Sequence, residues 1–272
     1  MNNIEFDILG VGVWGSTVRN WNDLQAVFDG QQLQDDGSKG PKPEVIPANE
    51  RRRAPLPVRL AIEASWQACE QSGFDPAELS SVFVSGLGDT QLTDYMCRAL
   101  IGDNKALSPT KFHNSVHNAA AGYWTISTGC MRSANSVAGN EKSMPLALLE
   151  ALLESQAHTK PMLISFYDAP CSDVLQELLK NQQPFSAALV ISPKGFQHDQ
   201  PVIGTVRAQV LAEPATWPTF DCEPLLLQCY QTNPAARILP LLKMMCTADR
   251  TINTIQMPLS SGTSLKLSLA TT

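Results

Sequence analysis

Short apolar runs alternate along the chain with longer stretches in which apolar residues recur every three or four positions. The runs Ile4–Val13, Ser81–Gly86, Ser136–Gly139, Met162–Tyr167 and Ala187–Ile191 predict strands. Between them, Pro57–Gln71 sets Leu60, Ala61, Ala64, Ala68 and Cys69 on one stripe of a helix, with Gly73 placed to stop it. Ser143–Ser155 repeats the pattern with Leu146, Leu149 and Leu153, and Pro145 falls in the first turn, where its missing N–H is harmless. Val18–Phe28 is a shorter helical stretch that runs into Gln31–Glu50, which carries Asp35, Asp36, Pro41, Pro43 and Pro47, has few apolar anchors and is expected to be a surface loop. After Pro193 the periodicity loosens. Prolines from Pro201 to Pro240 punctuate what reads as short helical pieces, and Ser264–Ala270 alternates Leu265, Leu267 and Leu269 with polar residues, the pattern of a half-exposed edge strand. Strands that alternate with helices predict a layered α/β domain.

The chain has 272 residues, enough for one large domain or two small ones, and its 43% hydrophobic and 17% charged content excludes disorder as the main state. A net charge of -6 argues against a nucleic-acid surface, which needs a clustered excess of Lys and Arg. Seven cysteines, odd in number and without a CxxC pair, fit reduced thiols packed as small hydrophobes better than a disulfide framework or a zinc site. The first residues carry Glu5 and Asp7 and lack a basic start and apolar run, and no window of 18 uncharged apolar residues occurs. A cytoplasmic location is expected.

Gly10, Gly12 and Gly15 have the spacing of a dinucleotide-binding turn, but the second strand with its ribose-holding acid is missing, so a tight strand-to-helix turn is expected and no cofactor. His113 and His117 are four apart, without a neighbouring acid or a third ligand. They predict no metal site, and His117 with Asn118 is expected to fix the start of a helix over Ser115–Ser127. No serine stands in a GxSxG elbow. The junction closest to a nucleophile position is Ser136–Ser143, where a strand turns into a helix with Glu141 at the tip, a place that suits a capping acid. Arg51, Arg52 and Arg53 form the one dense basic run, either a solvated loop with salt bridges or a docking spot for an acidic partner.

Several of these stretches, in this order, resemble the amino-terminal half of the β-ketoacyl synthases, condensing enzymes of the thiolase fold. They are Ile8–Gly12 with Trp21 downstream, Asn49–Arg53 leading into Val58–Ala64, Val82–Gly88, Leu107–Tyr123 and Ser136–Ala151. The likeness spans about Ile4–Ile191. It implies a thiolase-like α/β fold with helices layered around a mixed sheet, a synthase-like domain over residues 1–195, and a carboxy-terminal extension over 196–272 that packs on it.

The family places its acyl-accepting cysteine where a strand enters a buried helix, at a set distance after an Asn-x-x-Ala-Gly element. Counted from Asn118 to Ala151, that place holds Glu141, and the nearest thiol, Cys130, lies eleven residues earlier. A carboxylate cannot carry the acyl thioester. The family's two later histidines would belong to a further half, whereas the one histidine after the matching stretch is His198. The resemblance therefore implies no catalytic residue and no cofactor. It implies a chain length factor of the truncated type that accompanies aryl polyene pathways, paired with a full-length, cysteine-bearing β-ketoacyl synthase. A weak or indirect contact of Arg51, Arg52 and Arg53 with an acyl carrier protein is implied as well. The pocket wall and interface would come from Pro109, Lys111 and Phe112, from Asn118 and Gly122, and from bulky Tyr123, Trp124 and Met131, with Ala119, Ala120, Ala121 and Gly122 permitting close approach. Glu141 is left to a buried ion pair or to helix amides across the interface, or, as the alternative, to acid–base chemistry of its own in a malonyl-carrier decarboxylase. A second alternative is a docking scaffold for the carrier protein.

Overall fold

A computed structural model of the chain describes residues 3–35, 37–103, 105–246 and 253–270, and Asp36 of the predicted loop lies outside them. Its strands are β1 (Ile4–Gly15), β2 (Ser80–Val84), β3 (Ala134–Val137), β4 (Met162–Asp168), β5 (Phe185–Pro193), β6 (Gly204–Leu211), β7 (Thr254–Pro258) and β8 (Ser264–Leu269). Its helices are α1 (Trp21–Phe28), α2 (Ala48–Arg51), α3 (Leu56–Ser72), α4 (Thr90–Ile101), α5 (Pro109–His113), α6 (Ala119–Thr128), α7 (Ser143–His158), α8 (Gln176–Leu179), α9 (Pro224–Thr232) and α10 (Leu239–Cys246). The strands form one mixed sheet in the order β3-β2-β4-β5-β1-β6-β8-β7. Strand β2 runs parallel to β3 and β4, and the remaining pairs are antiparallel.

Strand β1 is buried along nearly its whole length because helices cover both of its faces. Its glycines do not make a strand-to-helix turn: Gly10, Gly12 and Gly15 all lie inside the strand. A Cβ on Gly10 would come within 2.0 Å of the Ala68 carbonyl oxygen and one on Gly12 within 1.9 Å of that of Ala64. The glycines thus let α3 lie directly on β1. Strand β6 pairs with only the first part of β1, and beyond it the amides of Val11 and Val13 donate to Gln71 Oε1 (2.6 Å) and Gln67 Oε1 (3.0 Å) of α3. Helix α3 ends, as expected, on Gly73 in the left-handed conformation.

One sheet face carries α1, α7, α9 and α10, packed through residues such as Leu24, Leu148, Tyr230 and Leu241. The other carries α3 and α6, packed through Leu60, Ala64 and Trp124. Two readings of the chain after Pro193 need correction. Its loose pattern hides β6 and β7, and β8 is no edge strand, because it pairs with both and buries Leu265 and Leu267. The predicted helix over Ser115–Ser127 starts instead at Ala119. His113 closes α5 and His117 lies in the turn that follows, so the two do not share a helix, and Asn118 stands at the N-cap position without a side-chain capping bond.

Candidate functional site

The parallel strands β2, β3 and β4 bring the loops that follow them to one end of the sheet, where ligands of open α/β sheets are usually received. After β2 the chain turns through Ser85–Gly88 into α4, after β3 through a single 3-10 turn (Asn140–Lys142) into α7, and after β4 into residues 169–172. Asp168, fully buried at the end of β4, holds the first loop. Its carboxylate accepts from Ser85 Oγ (2.7 Å), Gly86 N (3.0 Å) and Leu87 N (2.9 Å). Burial pushes this carboxyl up to about 6, against the opposing pull of those donors. Asn233 of the carboxy-terminal segment donates to the Asp168 carbonyl oxygen (3.1 Å) and to that of Gln183 (2.9 Å), tying the segment to the same post. Gly86 is the point where the pieces meet, because a Cβ there would come within 2.4 Å of Pro234 and 2.8 Å of the Asn140 carbonyl oxygen.

The turn after β3 is an elbow. Asn140 takes a positive φ of 53°, a conformation that asparagine tolerates better than most residues. Ser143 stitches it, its Oγ accepting from Gly139 N (2.8 Å) and donating to the Asn140 carbonyl (2.6 Å). Glu141 stands at the tip, exposed, and among the described residues its carboxylate makes no hydrogen bond or ion pair. The expectation of a capping acid is therefore corrected, since Ser143 does the local work. Cys130 is buried and its Sγ donates to the carbonyl of Leu79, just before β2 starts (3.4 Å). It lies at the amino ends of the parallel strands, the far end from the elbow.

The expected wall residues divide into three groups. Asn118, Gly122 and Tyr123 line a hollow of about 310 Å³ with Val116 and Ile126, and nothing lies within 4 Å of the place of a Gly122 Cβ. Tyr123 is half-buried, its hydroxyl donating to Asn114 Oδ1 (3.3 Å), and burial raises its pKa. Phe112 (60% exposed), Ile126 (83%) and Met131 (95%) add exposed apolar surface around α6. Trp124 departs from expectation: it is fully buried against Phe83 and belongs to the core, as do Ala120 and Ala121. Ala119 and Gly122 remain open to close approach from outside.

The basic run also divides. Arg51 donates to the carbonyls of Lys42 (3.3 Å) and Pro43 (3.2 Å) and so pins the preceding loop. Arg52 and Arg53 line a cavity of about 560 Å³ together with Lys111, Ser108 and Asn114. Arg53 pairs loosely with exposed Glu50 (3.6 Å), and the Lys111 ammonium sits 3.5 Å from the centre of the Tyr95 ring. Pro109 opens α5, which presents Lys111 to that cavity. A neighbouring cavity of about 510 Å³ shares Pro55, Pro57, Asp89, Leu92 and Asn114 with it and runs beneath α4 to Tyr167. Cys97 and His117 stand on its lining. No cluster of His, Cys, Asp or Glu suited to a metal ion occurs among the described residues, and no helix among them is long and apolar enough to cross a membrane.

Asp168, Asn233 and Tyr167 had no sequence signal. The first and third sit at the end of an apolar strand run, and Asn233 precedes a proline in a stretch without periodicity.

The chain matches the family model for the β-ketoacyl synthase amino-terminal domain over residues 21–217. No curated protein matches it by sequence. Among solved structures it is similar to one of a ketosynthase (ApeO) in complex with its chain length factor (ApeC) from Xenorhabdus doucetiae, at 18% identity and a TM-score of 0.70, covering 97% of this chain and 99% of that one. It is also similar to the ishigamide ketosynthase/chain length factor (12% identity, TM-score 0.69, 97% and 98% covered). A third likeness is to AntDE:AntF, a type II polyketide synthase acyl-carrier protein in complex with its ketosynthase (13% identity, TM-score 0.75, 99% and 100% covered). At these identities the likeness is one of fold, and the mixed sheet with its helices is the thiolase-like ketosynthase architecture.

Proposed function

The chain belongs to the family of the β-ketoacyl synthase amino-terminal domain, and from that premise we propose that it is a non-catalytic chain length factor. In this reading it forms a heterodimer with a full-length β-ketoacyl synthase and shapes the partner's acyl pocket in aryl polyene biosynthesis, in the cytoplasm. The observation that supports the reading is the elbow after β3: its tip, which the motif spacing matches to the family's acyl-loading position, holds exposed Glu141, and the nearest thiol in sequence is buried at the opposite end of the strands. An acyl thioester needs a thiolate at the tip.

A partner is supported by the surface along β3 and the end of α6. Strand β3 is an edge of the sheet with Ala134 and Asn135 exposed, and Ile126 and Met131 stand out into solvent from neighbouring α6 and the turn after it. An unpaired edge next to exposed apolar side chains calls for cover. In the same reading the described residues after 195 form an extension of the amino-terminal domain, and the hollow at Asn118, Gly122 and Tyr123, with Phe112 nearby, is the surface that meets the growing chain. The cavity rimmed by Arg52, Arg53 and Lys111 offers an acyl carrier protein a weak contact for its acidic surface or phosphate.

Co-expression with a full-length ketosynthase from the same gene neighbourhood, followed by light scattering and intact-mass analysis after exposure to acyl-carrier substrate, tests the reading. The expected result is a one-to-one complex with the acyl adduct on the synthase alone. A stable monomer that ignores the synthase, or an adduct on this chain, overturns it.

A further inference from the structure

The chain between β4 and β5 folds back on itself around Asn181. The Asn181 carbonyl oxygen accepts from Cys171 N (3.0 Å), Cys171 Sγ (3.2 Å) and Gln176 Nε2 (3.3 Å). Gln176 Nε2 also donates to the Cys171 carbonyl (3.0 Å), and Asn181 Nδ2 to that of Ala169 (2.9 Å). These bonds turn the NH2 group of each side-chain amide toward backbone carbonyls, so the amide oxygens are left as pure acceptors. Ser172 follows Cys171 directly, and its backbone amide donates to Thr90 Oγ1 at the start of α4 (2.9 Å).

Asn181 Oδ1, Gln176 Oε1 and Ser172 Oγ are all shut off from solvent, and none has a hydrogen bond among the described residues. Asn181 is 0% exposed and Ser172 5%. The other buried side-chain atoms without a partner are hydroxyls and ring nitrogens spread over the fold, whereas this loop gathers three oxygens within ten residues, two of them on amides. Buried acceptors left unpaired are costly, and a group that satisfies three at once has to be electropositive on every side. The charge of the loop has the matching sign: Asp173 and Glu177 outnumber Lys180, and neither acid forms an ion pair among the described residues. Both acids are exposed, so the buried set consists of neutral oxygens. Neutral oxygens are the ligands of potassium, whereas calcium and magnesium sites are built on carboxylates.

We propose that this loop binds a potassium ion through Asn181 Oδ1, Gln176 Oε1 and Ser172 Oγ. The ion ties the two ends of the loop together. Through the bond from Ser172 to Thr90 it also steadies Thr90, Ala169 and Pro170, which line the cavity rimmed by Arg52, Arg53 and Lys111. None of the three ligands belongs to the surfaces assigned to pairing above, so the test uses the full chain without a synthase.

The experiment is thermal melting of the full chain in mixtures of potassium chloride and choline chloride at constant total chloride. Choline screens charge as potassium does but is too large for the loop. Potassium is expected to raise the melting temperature by about 3 °C, and the rise is expected to saturate. Ser172→Ala removes an oxygen that bonds to nothing else in the described chain. In choline chloride the variant is therefore expected to melt at or above the wild-type temperature, while its potassium increment falls by at least half. A water molecule in the loop, donating to the two amide oxygens, gives one melting temperature in both salts and overturns the proposal. An increment that grows without saturating, or one that Ser172→Ala leaves intact, overturns it as well. The wild-type comparison decides even where the variant fails to fold.

Discussion

The two edges of the sheet are finished in opposite ways. At one, β7 folds back on β8, buries Ile255 and Met257, and ends on Pro258, a residue without an N–H. At the other, β3 is four residues long, leaves Ala134 and Asn135 in solvent, and stands beside the exposed apolar side chains Ile126 and Met131. A free edge invites pairing, and proteins that stay alone cover it, charge it or interrupt it. The carboxy-terminal segment finishes one side from within the chain, through β6, β8 and β7. The β3 side has no such finish among the described residues. The difference teaches that both edges of the sheet are unpaired but only the β7 edge is interrupted by a proline, while the β3 edge stands beside exposed apolar side chains.

The buried post at Asp168 gives way most. In Asp168→Asn an amide nitrogen replaces one of the oxygens that accept from Ser85, Gly86 and Leu87, and a buried donor then faces other donors. A loss of about 3 kcal/mol is expected in urea denaturation, with loosening of the loop before α4. The pH dependence sharpens the test. Burial pushes this carboxyl up to about 6, so below that value the folded chain holds a proton that the unfolded chain releases until its ordinary carboxyl pKa, about 4, is reached. The contribution of this group to wild-type stability therefore rises as pH falls through that interval. The gap between wild type and Asp168→Asn should widen from pH 7 to pH 4, and a gap that narrows refutes the assignment. On the open side the expected effect is smaller and of another kind. Ile126→Asp should weaken pairing with a synthase by about 2 kcal/mol, roughly thirtyfold in Kd, and change the chain's own stability by no more than about 0.5 kcal/mol. Size-exclusion titration and melting separate the two, and a variant that unfolds instead would move Ile126 into the core.

How far each region could be read in the sequence follows the same division. Strands β1, β2, β4 and β5 and helices α3 and α7 were legible because burial writes a period into them: near-continuous apolar runs in strands covered on both faces, and a stripe every three or four residues in helices. The carboxy-terminal strands were not. In β6, Val206 and Ala208 face the core and Arg207 faces solvent, a proper alternation, but the surrounding prolines hide it, and β7 buries only Ile255, Met257 and Pro258. Gly10 and Gly12 carried a true signal of close approach with a wrong address, since the backbone that comes near is α3 rather than a phosphate. For the site, the elbow that carries Glu141 was legible because a short strand run gives way there to a helical stripe. Asp168 and Tyr167 were not, because a single polar atom at the end of a buried strand leaves no trace in a pattern of hydrophobicity. Trp124 misled for a related reason: bulk adjacent to Tyr123 says nothing about which side of α6 it occupies.

The smallest effect is expected at the tip of the elbow after β3. Glu141 is exposed, and among the described residues its carboxylate bonds to nothing, while the elbow is held by Ser143, Gly139 and the backbone of Asn140. In Glu141→Ala the turn keeps every one of these bonds, so melting should move by no more than about 0.5 kcal/mol. A synthase paired with the variant should turn over within about twofold of the pair with wild type. An acid or base in the transition state would behave differently, since its removal costs on the order of 10²–10⁴ in rate. Turnover and carrier decarboxylation measured on the reconstituted pair distinguish the cases by that margin. A loss of a hundredfold with assembly intact would make the open edge the site of a reaction, and unchanged turnover would leave it a surface that lends shape to its partner.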